Sequence, residues 1–127
     1  AFACWRGAEL NPWFTGPALS SFVEPPPEPA AGKSPTGPFS LADRDATTAM
    51  LLGAGWIDVQ VEPHDLVVRI ERDTLLDDGM MHFIGVADED LDAALAAADA
   101  HLDQLAVGDG RYDAPLAFQV VTATNPR

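Results

Sequence analysis

Ala1-Phe2-Ala3-Cys4-Trp5 is an unbroken apolar run. Such a run reads as a strand buried on both faces of a parallel sheet. It predicts strand neighbours on both sides, and so a chain that is part of a larger α/β protein. The pattern breaks at Arg6-Gly7. Asn11-Pro12 then reads as an N-cap followed by a helix-opening proline, with a short helix carrying Trp13 and Phe14 and limited by Pro17. From Glu24 to Pro38 the chain is dense in Pro, Gly and Ala, and predicts a loop, polyproline-like over Glu24-Pro25-Pro26-Pro27-Glu28-Pro29.

Periodicity resumes at Phe39. Asp43 is placed to cap a helix over Arg44 to Ala54, with Ala46, Ala49, Met50 and Gly53 on one face, Leu51 and Leu52 adjoining, and Gly55 as its stop. Trp56 to Val61 alternates as a strand does, and Leu66 to Ile70 continues it or forms a second strand after Pro63. Asp73 or Thr74 starts a helix through Leu75, Leu76, Met80, Phe83 and Ile84, ended by Gly85 or soon after. Asp88 caps a longer helix reaching about Val107, with Leu91, Leu95, Ala98, Leu102 and Leu105 as its stripe. Its acidic first turn suits the helix dipole, and Gly108-Asp109-Gly110 ends it. Leu116 to Thr124 is the closing strand. The chain thus reads as one partial domain: strand and short helix (1–23), Pro-rich loop (24–38), helix and strand (39–72), helical insertion (73–110) and closing strand (111–127).

Composition changes this picture little. Apolar residues make up 47% of 127, enough for a modest core. The net charge of −13, from 20 acids against 7 Lys and Arg, argues against nucleic acid and anionic membrane as partners. No apolar run approaches the ~18–20 residues that span a bilayer, and no signal peptide is visible. The lone Cys4 forms no internal disulfide, which suits a reducing cytoplasm, and its apolar setting favours an inert thiol.

Several motifs fail on their context. Gly32-Lys33-Ser34 ends like a phosphate loop, but Pro27 stands where that loop needs its first Gly, and Pro35 follows at once. Asp88-x-Asp90-x-Asp92, with Asp99 at the twelfth position, resembles a calcium loop, but Ala93 replaces the turn Gly and the segment is helical. Asp78 and His82 lie one helical turn apart without a third ligand, so no metal is expected. His64 and His101 show no acid or thiol constellation. The Pro run lacks the basic residue of SH3 ligands.

What survives is Cys4-Trp5-Arg6 with Asn11-Pro12-Trp13, where a strand of an α/β sheet ends. Ligands of such sheets bind outside the carboxyl ends of the strands. Trp5, Arg6, Asn11 and Trp13 are therefore candidate substrate-binding residues. The alternative is that both Trp cover the core. No catalytic residue can be assigned.

These residues, with Gly37-Pro38-Phe39-Ser40-Leu41-Ala42-Asp43, Leu51-Leu52-x-Ala54-Gly55-Trp56-x-Asp58-Val59 and the closing Val121-Thr122-Ala123-Thr124-Asn125-Pro126, resemble the C-terminal half of bacterial class I S-adenosylmethionine-dependent methyltransferases, the small-molecule type related to the ubiquinone/menaquinone-biosynthesis enzymes. The resemblance implies an α/β fold. It would be the last three strands of a seven-stranded Rossmann-like sheet, with a helical insertion closing over the substrate. Ala1 to Trp5 would be the fifth strand and Ile57 to Val61 the sixth. Leu116 to Thr124 would be the seventh, antiparallel and inserted between them. It implies a parent that methylates a small molecule. The family's Gly-rich cofactor loop and ribose-binding acid have no counterpart here, so S-adenosylmethionine is expected in the parent and not on this chain, which alone would be inactive. The rival expectation is a non-catalytic binding or interaction domain. A homodimer is expected through the exposed N-terminal strand or the surfaces the missing N-terminal half would cover.

Overall fold

The computed structural model describes residues 1–25, 27–31 and 36–127. Among them run β1 (Phe2–Trp5), α1 (Arg44–Gly53), β2 (Ile57–Glu71), α2 (Arg72–Leu75), α3 (Asp78–Ile84), α4 (Leu91–Leu102), β3 (Ala106–Gly108) and β4 (Arg111–Thr124). Short 3-10 turns occupy Ala8–Leu10, Gly16–Leu19, Asp88–Asp90 and Asp103–Leu105. The strands make one antiparallel sheet in the order β1-β4-β2, with β3 also on β4. The closing strand thus lies between the first two and begins earlier than expected, at Arg111. Contacts separate two compact units, Ala1–Asn11 with Glu28–Leu66 and Leu116–Arg127, and Pro12–Pro27 with Val67–Pro115.

In the first unit β1 pairs with β4, Cys4 opposite Gln119 and Trp5 opposite Phe118. Alternation puts these two pairs on opposite faces of the sheet. On the Cys4 face, the Leu41 carbonyl accepts from Gln119 Nε2 at 2.8 Å, Thr47 Oγ1 at 3.1 Å and Cys4 Sγ at 3.5 Å. Gln119 is buried, so its amide needs such a partner. The same bonds fix the entry to α1. Asp43 Oδ1 caps that helix, accepting from Ala46 N at 2.9 Å. Gly55, at φ +91°, closes it: Gly55 N donates to Leu52 O and Trp56 N to Leu51 O, both at 3.1 Å, the Schellman arrangement.

Two expectations for this unit need correction. The face α1 turns inward holds Thr47, Thr48 and Leu51, whereas Ala46, Ala49, Met50 and Gly53 are exposed. Thr47 decides this, because its hydroxyl is tied to Leu41. Nor is β1 doubly buried between parallel neighbours. Its partner is antiparallel, and Phe2 and Ala3 are exposed. β2 runs unbroken through Pro63. As β2 ends the strand order, it is an edge, where a proline's missing N–H is tolerated.

In the second unit α4 buries Ala94, Ala98 and Leu102, with Leu91 and Leu95 of the expected stripe half-buried and Leu105 in the 3-10 turn that follows. Leu19, Met81 and Val86 complete one cluster. Leu102, Leu105 and Tyr112 form another, with Trp13, Leu75 and Leu76 against it. The expected helix from Asp73 to Ile84 is interrupted, because Asp77 Oδ2 accepts from Met80 N at 3.0 Å and starts α3 afresh. α4 ends at Leu102, and Ala106–Gly108 pairs with β4 instead of extending the helix. Gly108, Asp109 and Gly110, all at positive φ, make the turn between them. Trp13 and Phe14 lie in a turn between 3-10 segments, not in a helix. Asn11 does not cap them, since its side chain is engaged elsewhere.

A small charge network joins elements of this unit. Arg72 Nη2 lies 2.7 Å from Asp99 Oδ2, and Tyr112 Oη donates to Asp99 Oδ1 at 3.2 Å. The Arg72 hydrogen bond holds the Asp99 carboxyl below its ordinary range, while burial is the largest effect pushing the Tyr112 phenol up. A carboxyl whose pKa is lowered by folding stabilises the fold above its unfolded value and loses that stabilisation as the pH falls through its folded one. Stability should therefore decline as the pH drops below about 4. In Asp99→Asn, which keeps an acceptor for Tyr112, the acid-side slope of thermal stability should be shallower. Parallel profiles would remove Asp99 from the account.

Candidate functional site

On the Trp5 face of the first unit's sheet lies a cleft of about 530 Å³ lined by Ala3, Cys4, Trp5, Pro38, Leu116 and Phe118. Its construction follows from strand geometry. Ala3 and Trp5 alternate on β1, and Leu116 and Phe118 alternate on β4. The Trp5–Phe118 register sets the two rings side by side across the strands. His64 of β2 stacks on Phe118, ring centroids 5.4 Å apart and planes 16° apart. Rings from three strands thus stand in a row across the sheet.

Charged groups accompany the row. Glu62 Oε1 lies 3.3 Å from His64 Nε2, and Arg6 Nη1 donates to Asp65 Oδ1 at 3.0 Å. His64 is part-exposed and Glu62 largely exposed. The six residues of the lining carry no charged side chain, and the Cys4 thiol, on the opposite face of the sheet, donates to the Leu41 carbonyl. A volume of this order suits a small molecule.

The four residues expected at a substrate wall have different settings. Trp5 lines the cleft, and Arg6, next in sequence, is held by Asp65. Asn11 is fully buried. Its Nδ2 donates to the carbonyls of Arg6, Gly7 and Ala117 at 3.2, 3.0 and 3.0 Å, and its Oδ1 accepts from Ala117 N at 2.9 Å. The side-chain amide thus exchanges both bonds with Ala117 as a strand residue would, continuing the β1–β4 ladder past Trp5. Trp13 belongs to the second unit and packs against the Leu102, Leu105 and Tyr112 cluster.

Sequence reasoning missed Phe118, Leu116, Pro38 and His64. Leu116 and Phe118 share a face of β4, and only the register shows which residues they meet. His64 gave no signal, because its neighbour Phe118 is remote in sequence.

The other candidate motifs resolve into local contacts. His82 Nε2 lies 2.7 Å from Asp88 Oδ1 rather than with Asp78. His101 Nε2 lies 2.9 Å from Pro12 O. Asp99, the would-be twelfth calcium ligand, is held by Arg72 and Tyr112. Among the described residues no three His, Cys, Asp or Glu side chains group to hold a metal, and no helix is long and apolar enough to cross a membrane. Gly32-Lys33-Ser34 lies outside the described residues.

The helix end at Gly53-x-Gly55 does not form a cofactor cradle. A Gly-rich cradle needs amides directed at its ligand. The amides of Gly55 and Trp56 are bound to Leu52 and Leu51 instead. No protein-family model and no curated protein matches the sequence.

Proposed function

We propose that this chain is the substrate-side, C-terminal half of an S-adenosylmethionine-dependent methyltransferase that acts on a small molecule. The observation that carries this reading is the strand order β1-β4-β2, with the C-terminal strand antiparallel to β1 and inserted beside β2. In the chain α1 lies between β1 and β2, and in the sheet β4 lies between them. That is the arrangement implied for the family's fifth, sixth and seventh strands. The apolar cleft beside Trp5 supports the same reading, since it flanks the last residue of β1, where ligands of α/β sheets gather.

The cofactor would be held by the remainder of the enzyme, and the chain alone would be inactive. Calorimetric titration of this chain with S-adenosylmethionine should give no affinity in the micromolar range. The product of the complete reading frame should bind it and transfer methyl groups. A reading frame encoding no Gly-rich strand-to-helix turn before Ala1, or a product without affinity for the cofactor, would leave a binding domain without chemistry. β1 is also an edge of the sheet. Self-association through it belongs to the same proposal.

A further inference from the structure

We infer that the outer edge of β2 pairs with the same edge of a second copy of this chain, antiparallel about a two-fold axis at Val67. The inference does not rest on the methyltransferase reading or on self-association through β1. Its first ground is the direction of the backbone. Arg69 meets Asp113, Glu71 meets Arg111, and just past the strand Arg72 N donates to Gly110 O at 2.8 Å, all in one register. The ladder bonds of an antiparallel pair come from alternate residues. Arg72 turns its amide toward β4, so Ile70, Val68 and Leu66 do the same. Arg69, Val67 and Asp65 then turn their amides and carbonyls outward. Pro63, which has no N–H to give, falls in the same outward set. β2 ends the strand order, so among the described residues no strand meets these groups.

The second ground is the side chains. Leu66, Val67 and Val68 are 53%, 68% and 37% exposed, an apolar run on an open edge of the kind that recruits another strand. The third is that this edge is complementary to itself. With Val67 opposite its own counterpart, Leu66 meets Val68 and Asp65 meets Arg69, each pair occurring twice by symmetry. Arg69 gives Nε and Nη2 to Asp113, and a guanidinium carries further donors for a second carboxylate. The neighbouring registers lack this match. One sets Asp65 against Glu71, and the other brings Pro63 into the ladder opposite Arg69.

Sedimentation velocity of this chain, from micromolar to near-millimolar concentration, should show monomer passing into dimer. Exchange of the Asp65, Val67 and Arg69 amides should slow as the dimer forms. Val67→Glu alters a mostly exposed side chain and sets two carboxylates against each other at the axis. It should weaken association by at least about tenfold, with far-UV circular dichroism unchanged. Asp65→Lys and Arg69→Glu each place like charges opposite one another and should each stay monomeric. Their equimolar mixture restores opposite charges and should form a heterodimer. A monomer at every concentration, association unchanged in Val67→Glu, or a mixture no more associated than its components would each overturn the inference. If Arg69→Glu fails to fold for want of its bond to Asp113, Val67→Glu and the amide exchange decide the matter. Association through β1 would leave these amides exchanging freely and would ignore all three substitutions.

Discussion

Asn11→Ala is expected to destabilise the protein by about 3 kcal/mol, lowering the midpoint of thermal unfolding by about 10 °C. The side chain is fully buried and ties the Arg6, Gly7 and Ala117 carbonyls and the Ala117 amide. Alanine leaves buried backbone groups without partners and opens a small void beside them. The cost is therefore larger than for one exposed hydrogen bond. Asn11→Asp is nearly the same size but replaces a donor facing three carbonyls with a second acceptor. It should be at least as damaging at neutral pH, which separates hydrogen bonding from volume. A midpoint within about 2 °C of the unaltered protein in both variants would show that the clamp contributes little.

Trp13→Ala is the second large effect expected. Truncation of a buried Trp costs about 3–5 kcal/mol. Trp13 is half-buried against Leu102, Leu105 and Tyr112, which places it near or just below the lower end of that range. Thermal unfolding followed by circular dichroism should show the loss. In the enzyme proposed above, turnover per folded molecule should be little changed. A small shift in midpoint with a large loss of turnover would place Trp13 at the substrate wall instead.

The contrast between Asn11 and Trp5 shows how far residue types reach. Both stand near the end of the first strand, and both are residue types common in ligand sites. Trp5 lines a cleft, whereas Asn11 closes a ladder with a residue more than a hundred positions away. No local pattern distinguishes them, because the partner that occupies Asn11 comes from β4. His64 makes the same point in reverse. Nothing near it in sequence suggests a site, and its stacking on Phe118 exists only once β2 and β4 share a sheet.

The sequence by itself determined what depends on neighbours a few positions apart. The Asp43 cap and Gly55 stop of α1, the buried stripe of α4 and the extended closing strand are all of this kind. So is the failure of the calcium-like acids to form a loop, given the helix-forming residues that follow them. Tertiary structure decided which face of α1 turns inward, through the Thr47 bond to Leu41. It decided the break at Asp77, the strand Ala106–Gly108, and the row Trp5–Phe118–His64. Each of these depends on strand register or on a hydrogen bond that crosses between elements. Periodicity assigns a side chain to a face, but what that face meets is set by the packing of distant segments.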